Sequence, residues 1–369
     1  MTKKVLTFTK KVLPNSNTFV ASQALNLPNI KPVFIGFEKD VTGISLIQGA
    51  DYCVMNEYSK LPRVDRLALE VFGYVNNNWK EALSCQQASL LHAHFGKGGY
   101  YCTPIAKQLD LPLITTFHGS DITQKDKHSY NKKHREVVFQ NSDIILAVSN
   151  FIKKKLVSRG CPENKIIQHY TGIDTQFFCP TGDKTKHPSI LFIGRLIKQK
   201  GCQYLLQAMK TINKASPETE LIIIGDGTES KALKEQASSL NNVSFLGRKN
   251  KEQVKALMAS AWLMCAPSIT LSRGNEEGLG TVFLEAQAMG TPVVSFDTGG
   301  VAEAVVHEST GILVPEKNTA MLAEALLLLL TSNTTRNNFS VQGVAHIERN
   351  FDVVKQGKRL ENIYTDLIK

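Results

Sequence analysis

Short apolar runs alternate with longer amphipathic stretches along most of the chain, and the alternation is played through twice. Runs rich in Val, Ile, Leu and Phe occupy residues 5–9, 33–36, 90–94, 113–117, 144–148 and 166–169. A second series occupies 190–194, 221–225, 243–247, 263–266, 293–296 and 312–314. Helix-like periodicity fills gaps between them, as at 203–213, 231–240 and 251–261. Strands alternating with helices pair in parallel, because each crossover returns the chain to the same end of the sheet and covers its faces. The chain therefore reads as α/β, with two doubly wound domains whose parallel sheets face a central cleft. Residues 179–188, CPTGDKTKHP, are polar with Pro near both ends and read as a linker. The expected division is an N-terminal domain over 1–180 and a C-terminal domain over 188–350. A final helix over 351–369 is left free to pack on either. A length of 369 residues suits two domains.

Composition removes several classes. Hydrophobic residues are 42% and charged residues 21%, which argues against disorder. The longest apolar run, residues 325–330, is far short of the ~18 residues a membrane span needs. Lys10 and Lys11 interrupt the first apolar stretch, so it reads as a strand and not a signal peptide. Seven scattered cysteines without a CxxC pair fit a reducing cytosol better than a disulfide or zinc framework. Residues 1–185 hold 23 Lys and Arg against 15 Asp and Glu, so the basic surplus lies mainly in the first half. Its clusters, 125–135 and Lys153-Lys154-Lys155, read as solvated helix faces or as attraction to an anionic membrane or substrate. No nucleic-acid motif accompanies the charge, so nucleic acid is not an expected partner.

Ligands of open parallel sheets bind beyond the carboxyl ends of the strands. The unusual residues fall there: His94-Phe95-Gly96, His118-Gly119, Gly194-Arg195 and Gly225-Asp226-Gly227. Glycine at such junctions permits positive φ and close backbone approach. Within EEGLGTVFLEAQAMG, Glu277 and Glu285 are eight residues apart, about 80° around a helix, so they do not share one face. Gly278 and Gly280 disfavour helix. Glu277 is thus expected in a loop, with a helix starting at Thr281 or Val282 and carrying Glu285. The free amides of such a helix start suit phosphate. The acids, which would repel phosphate, suit neutral hydroxyls. A nucleotide sugar combines these needs. In GRLIKQKG, Arg195 offers a guanidinium fork and Lys200 a point charge for a diphosphate.

These segments, with IIIGDGTESKALK, VSFLGRKNKEQV and TGGVAEAVVHESTGILVP, resemble the donor-binding domain of GT-B glycosyltransferases of the retaining GT4 family (group 1), with its Glu-x7-Glu motif. The match in order and spacing runs over about residues 188–320. LLHAHFG, ITTFHGSDI, DIILAVSNFIKKKL and HYTGIDTQFF resemble the family more loosely, and are most similar to transferases of bacterial exopolysaccharide, capsule or lipopolysaccharide assembly. The resemblance implies two Rossmann-like domains. It places Arg195 and Lys200 on the donor diphosphate, Glu277 on the transferred sugar and Glu285 on the ribose. Leu279, Gly280 and Thr281 lie against sugar and phosphate through backbone groups, and Gly194, Gly225, Asp226 and Arg248 complete the donor side. His118 reaches the reacting centre. Asp121 orients His118 or touches acceptor, and His94 and Asn17 belong to the acceptor side. Two departures stand out. Polysaccharide-type relatives often carry Ser-Glu-Thr-Phe where this chain has Ser16-Asn17-Thr18-Phe19, which bears on acceptor choice. Thr171 replaces an Asn frequent in the turn YTGID.

The implied activity is a metal-independent, retaining transfer of a hexose from a UDP- or GDP-sugar to a hydroxyl of a glycan or lipid-linked acceptor. The nucleotide sugar is a co-substrate, and neither a cofactor nor a metal is expected, since no DxD-like pair or His cluster stands out. The expected location is cytoplasmic, with peripheral contact at the inner face of the cell membrane left open. Other readings are a phosphorylase or nucleotide-sugar epimerase of the same fold, or a non-catalytic nucleotide-sugar-binding protein. A Rossmann oxidoreductase is disfavoured by the lack of GxGxxG after the first strand.

Overall fold

The computed structural model describes residues 3–12, 18–47, 49–126, 129–182 and 184–368. The chain divides into two compact units, one of residues 1–172 and 353–369, the other of residues 173–352.

The first unit is built on seven parallel strands. They are β1 (Lys4–Phe8), β3 (Lys31–Gly36), β5 (Asp51–Val54), β6 (Leu90–His94), β7 (Leu113–Phe117), β8 (Ile144–Ala147) and β9 (Ile166–Gln168), in the spatial order β5-β3-β1-β6-β7-β8-β9. The short strands β2 (Lys11–Val12) and β4 (Glu38–Lys39) form a separate pair. Burial on both faces explains the continuous apolar runs: every residue of β6 and β7 is buried. β5 has no counterpart among the apolar runs. It is an edge strand, and its first two residues, Asp51 and Tyr52, are exposed, so DYCV lacks the apolar stretch that marks the others. One side of the sheet packs an aromatic cluster in which Phe37 meets Phe8 at 5.5 Å and Tyr101 at 5.0 Å, both edge to face.

The second unit has six parallel strands: β10 (Ser189–Ile193), β11 (Glu220–Ile224), β12 (Val243–Gly247), β13 (Leu263–Cys265), β14 (Val293–Phe296) and β15 (Gly311–Val314). Their order is β12-β11-β10-β13-β14-β15. The helices Cys202–Ala215 and Thr319–Thr331 pack together over this sheet. Leu205, Met209 and Ile212 of the first, spaced for one helix face, are fully buried.

The division falls at Gly172/Ile173, earlier than the expected 180, and the stretch read as a linker belongs to the second unit. Thr185 and Lys184 are bonded there. The Thr185 amide donates to the Ser260 carbonyl at 2.9 Å. Trp262 Nε1 donates to the Thr185 carbonyl at 2.8 Å, and Lys184 Nζ donates to Thr291 Oγ1 at 2.9 Å. Polarity and proline mark a segment outside the sheet; they do not show whether it is pinned.

The C-terminal helix, Val353–Leu367, belongs to the first unit. Leu360, Ile363 and Tyr364 join Val5, Leu90, Ile114 and Leu146 in one buried cluster. Gly357 lies so close to Asn26 that a Cβ would stand 2.1 Å from the Asn26 carbonyl oxygen. Glu361 accepts from the Asn29 amide and from Asn29 Nδ2, each at 2.8 Å. Leu360→Ala is expected to destabilise the first unit by about 2–5 kcal/mol through lost burial and a cavity. Urea unfolding followed by hydrogen exchange checks this, with the second unit's amides unchanged; an unaltered first unit would refute the packing role.

Candidate functional site

The strand order of the second unit reverses at β10. β11 lies on one side of it and β13 on the other, so the loops after β10 and β13 leave the sheet in opposite senses and open a crevice at a topological switch point. The loop after β10 carries Gly194, Arg195 and Lys200. The loop after β13 carries Ser268 and leads to Glu277.

These loops are laced together by backbone. The Gly194 amide donates to the Ile224 carbonyl at 3.1 Å, the Leu196 amide to Asp226 at 2.9 Å and the Gly225 amide to Gly247 at 2.9 Å. Gly225 has φ +136°, and a Cβ there would stand 1.9 Å from the Gly194 oxygen, so only glycine fits. Asp226 Oδ1 accepts from the Gly227 amide at 2.8 Å and from Ser230 Oγ at 2.9 Å, and the Ser230 bond chiefly holds its carboxyl below the usual range. Asp226 therefore fixes the turn. Arg248, after β12, is exposed.

Lys200 and Glu277 are 77 positions apart in sequence, yet Lys200 Nζ donates to Glu277 Oε2 at 2.5 Å. Both side chains are largely buried, 18% and 13% exposed. Ser268 Oγ donates to the same carboxylate oxygen at 3.2 Å. Burial pushes the Glu277 carboxyl up, but Lys200, Ser268 and Arg195 outweigh it, and the group lies below the usual carboxylate range. Arg195 itself is exposed and acts on Glu277 through its charge. Ser268 is a site residue that the motifs do not point to. Its only signal is its place just beyond a strand end; Thr298, beyond β14, supports it by donating to the Ser268 carbonyl at 3.0 Å.

Glu277 lies in a loop and the helix Thr281–Ala288 follows, as the glycine pattern predicts. Gly280, at φ +82°, precedes that helix, and no side chain caps it. The first-turn amides at Thr281 and Val282 are thus available to an anion. Leu279 is buried, leaving its backbone for contact. Glu285, one turn into the helix, is pushed up to about 7 by burial, with Lys251 opposing the shift. Lys251 lies within VSFLGRKNKEQV but is not singled out there; it opens the helix Lys251–Ser260 and sits over the Phe177 ring at 4.1 Å.

The first unit has its own switch point, where β1 neighbours β3 and β6. His118, after β7, lies with His94 of β6: Nδ1 of His94 and Nε2 of His118 are 3.1 Å apart, and the rings stack at 5.3 Å. His94 in turn packs tilted against His92 at 4.3 Å, and His92 is held by the Tyr364 hydroxyl and Thr116 Oγ1, both at 2.6 Å. Phe95 and Phe19 pack on His118 at 4.6 and 4.9 Å. Of the strand-end glycines, Gly119 takes positive φ, but at the β6 turn the left-handed position falls on Phe95, at φ +67°. A bulky side chain there stores strain, a mark of functional turns. Asp121 neither bonds the His118 ring nor stands free. Its carboxylate accepts from the Gly119 amide at 2.8 Å and from the His118 and Gly96 amides at 3.2 Å, clamping both strand-end turns. Asn17 lies outside the described residues.

Burial keeps these imidazoles neutral. It holds His118 down to about 3 and His92 and His94 well below their ordinary value, and does the same to His169, just after β9, at about 4. Folded values below the unfolded one mean that the unfolded chain binds more protons under about pH 6.5. Their contribution to stability is therefore complete above that pH and lost as pH falls, by about 1.4 kcal/mol per pH unit for each histidine. The thermal midpoint of the first unit is expected to drop between about pH 7 and about pH 5. A flat profile over that window would refute the buried, neutral assignment.

Among the described residues, no group of three His, Cys, Asp or Glu side chains is placed to hold a metal ion, and no helix is long and apolar enough to cross a membrane.

Two family models match the chain. One, described as glycosyl transferases group 1, covers residues 175–345, and one described as glycosyltransferase family 4 covers residues 52–177. The chain is 30% identical to the amylovoran biosynthesis glycosyltransferase AmsK of Erwinia amylovora, over 66% of this chain and 61% of that protein. It is also 30% identical to a GDP-mannose-dependent monoacylated alpha-(1-6)-phosphatidylinositol monomannoside mannosyltransferase of Corynebacterium glutamicum, over 68% of this chain and 69% of that one. The solved structure of Anabaena HepE in complex with UDP and glucose superposes with a TM-score of 0.81 at 19% identity, covering 99% of this chain and 100% of that chain. At that identity the likeness is one of fold.

Proposed function

The chain belongs to the group 1 glycosyltransferases, family 4, with the GT-B fold, and on that premise we propose that it moves a hexose from a nucleoside-diphosphate sugar to a hydroxyl of a glycan or lipid-linked acceptor in surface polysaccharide assembly. The observation that carries the reading is the Lys200–Glu277 pair at the switch point of the second unit, beside an uncapped helix start. The relatives' names agree with it: one acts in amylovoran biosynthesis and another uses GDP-mannose on a lipid.

On this reading the diphosphate takes the Lys200 ammonium, the Arg195 guanidinium and the amides at Thr281 and Val282. Glu277 then turns from Lys200 to hydroxyls of the sugar, with Ser268 holding its second interaction. Charge developing on the departing diphosphate meets fixed cations and a helix dipole, the kind of stabilisation that lowers such barriers most. These groups supply the counter-charge that a divalent metal would otherwise bring. The acceptor oxygen attacks on the face from which the diphosphate leaves. The C–O bond to phosphate breaks as the new one forms, and the departing phosphate takes the acceptor's proton, so the anomeric configuration is retained. His118, neutral and boxed by Phe19 and Phe95, offers a hydrogen bond to a sugar without adding charge. Glu285 accepts the ribose hydroxyls.

Two outcomes are expected. With EDTA present, one donor of a UDP-, GDP- and ADP-sugar panel is hydrolysed slowly, and Lys200→Ala and Glu277→Ala each lower kcat/KM by about 10²–10³. Binding of no donor at all would sink the proposal, and full restoration only by added metal would remove its metal-free part. Second, ribose hydroxyls bind the ionised form of Glu285, whose value stands at about 7. Donor affinity should therefore weaken as pH falls through that value, and Glu285→Gln should flatten the profile; titration calorimetry across pH decides it.

A further inference from the structure

β13 is the shortest strand of the second sheet, and its ladder with β14 ends early. Met264 pairs with Val293 and Cys265 with Val294, and the register stops there. Hydroxyls from the β14 side hold the chain beyond. Ser295 Oγ, on β14, donates to the Ala266 carbonyl at 2.9 Å, and Thr298 Oγ1, just past β14, donates to the Ser268 carbonyl at 3.0 Å. Ser295 and Thr298 are both buried. Leaving a buried carbonyl unpaired is costly, so a hydroxyl at such a place fixes where the backbone runs. The turn that carries Thr298 also holds Glu277. The Gly300 amide donates to the Glu277 carbonyl at 2.9 Å, and the Val301 amide closes the turn on the Thr298 carbonyl at 3.1 Å. Gly299, at φ +57°, lies so close that a Cβ would stand 2.3 Å from the Glu277 carbonyl oxygen. One turn thus grips the backbone of both Ser268 and Glu277, and Ser268 Oγ meets Glu277 Oε2 at 3.2 Å.

Lys200 Nζ and Ser268 Oγ both donate to Glu277 Oε2. When Lys200 turns to a diphosphate, Ser268 is the one of the two that stays. Where the carboxylate then stands depends on where Ser268 stands, and that depends on the Thr298 bond. We propose that Thr298 is a positioning residue for sugar recognition. Through Ser268 it fixes the Glu277 carboxylate where the sugar hydroxyls arrive. It therefore contributes to affinity for a nucleoside-diphosphate sugar and not to affinity for the nucleoside diphosphate alone. The inference rests on the donor reading proposed for this chain. Two substitutions separate the hydroxyl from the shape of the side chain: valine keeps the shape and loses the donor, and serine keeps the donor and loses a methyl.

The test is titration calorimetry of the full chain with matched pairs: UDP-glucose and UDP, GDP-mannose and GDP, ADP-glucose and ADP. For a pair that binds the wild type, Thr298→Val should weaken the nucleotide sugar about fivefold to tenfold and leave the diphosphate within about twofold. Thr298→Ser should stay near wild type. Ser268→Ala should show the same selective loss, and adding Thr298→Val to it should change little, because the two act in one line. Thr298→Ala supplies the same comparison if the valine does not fold. A second readout needs no donor. The Glu277 carboxyl, followed by its 13C shift, should titrate higher in Thr298→Val, since Ser268 helps Lys200 and Arg195 to hold it down. Equal weakening of sugar and diphosphate, a loss that Thr298→Ser shares, or a full further loss on the Ser268→Ala background overturns the inference. So does affinity unchanged by Thr298→Val. Wild type that binds no pair sinks the donor reading instead. The carboxyl titration then still decides whether Thr298 positions Glu277, and an unmoved carboxyl overturns that.

Discussion

Parallel pairing is the constraint from which both units follow. A parallel sheet needs a crossover after every strand, so all strand ends that carry loops of one kind lie along one edge. Where the order reverses, neighbouring loops diverge, and the edge opens. In the second unit this happens between β10 and β13, and Lys200, Ser268 and Glu277 stand there. In the first unit it happens beside β1 and β6, next to the turn that holds Phe95 in a left-handed conformation. Neither site is an ornament on the fold; each occupies a place the strand order leaves without a ladder partner.

Much of this architecture is legible in the residues alone. Twelve apolar runs mark twelve of the thirteen strands of the two large sheets, most clearly where burial on both faces leaves little that is polar, as in β6 and β7. The edge strand β5 lacks that signature, since half of it faces solvent. The start of the helix at Thr281 is legible because two glycines cannot sit comfortably in its first turn. Pairings across distance are not. Nothing local in GRLIKQKG says that Lys200 closes on Glu277 rather than waiting for phosphate alone. Ser268 carries no motif of its own. Asp121 suggests an orienting partner for the His118 ring, yet three backbone amides compete for its carboxylate, and amides in a tight turn are the nearer donors.

The two units handle ionisable groups in opposite ways. The second holds a charged pair in partial burial, where loss of hydration is offset by a short ion pair and a hydroxyl. Removing either partner would strand the other. The first holds imidazoles in near-complete burial and gives them one another, a phenol and a threonine as partners, so that desolvation keeps them uncharged. A neutral column behind His118 makes its orientation depend on packing rather than on charge. The C-terminal helix supplies Tyr364 to that column, which ties the last segment of the chain to the ring at the strand end.

The helix Pro62–Phe72 shows where periodicity stops being informative. Its apolar residues recur as they do in any core-facing helix, and a sequence alone assigns that stripe to the interior. The structure reverses the assignment because the polar residues have better claims on the inside. Arg66 finds Glu38 on β4, and Glu70 finds both a lysine and a tyrosine from the helix Gly96–Leu109. Each of these bonds would be lost if the helix rolled to bury Leu67 and Val71. The orientation that keeps these polar contacts within the unit is the one that leaves Leu67 and Val71 exposed.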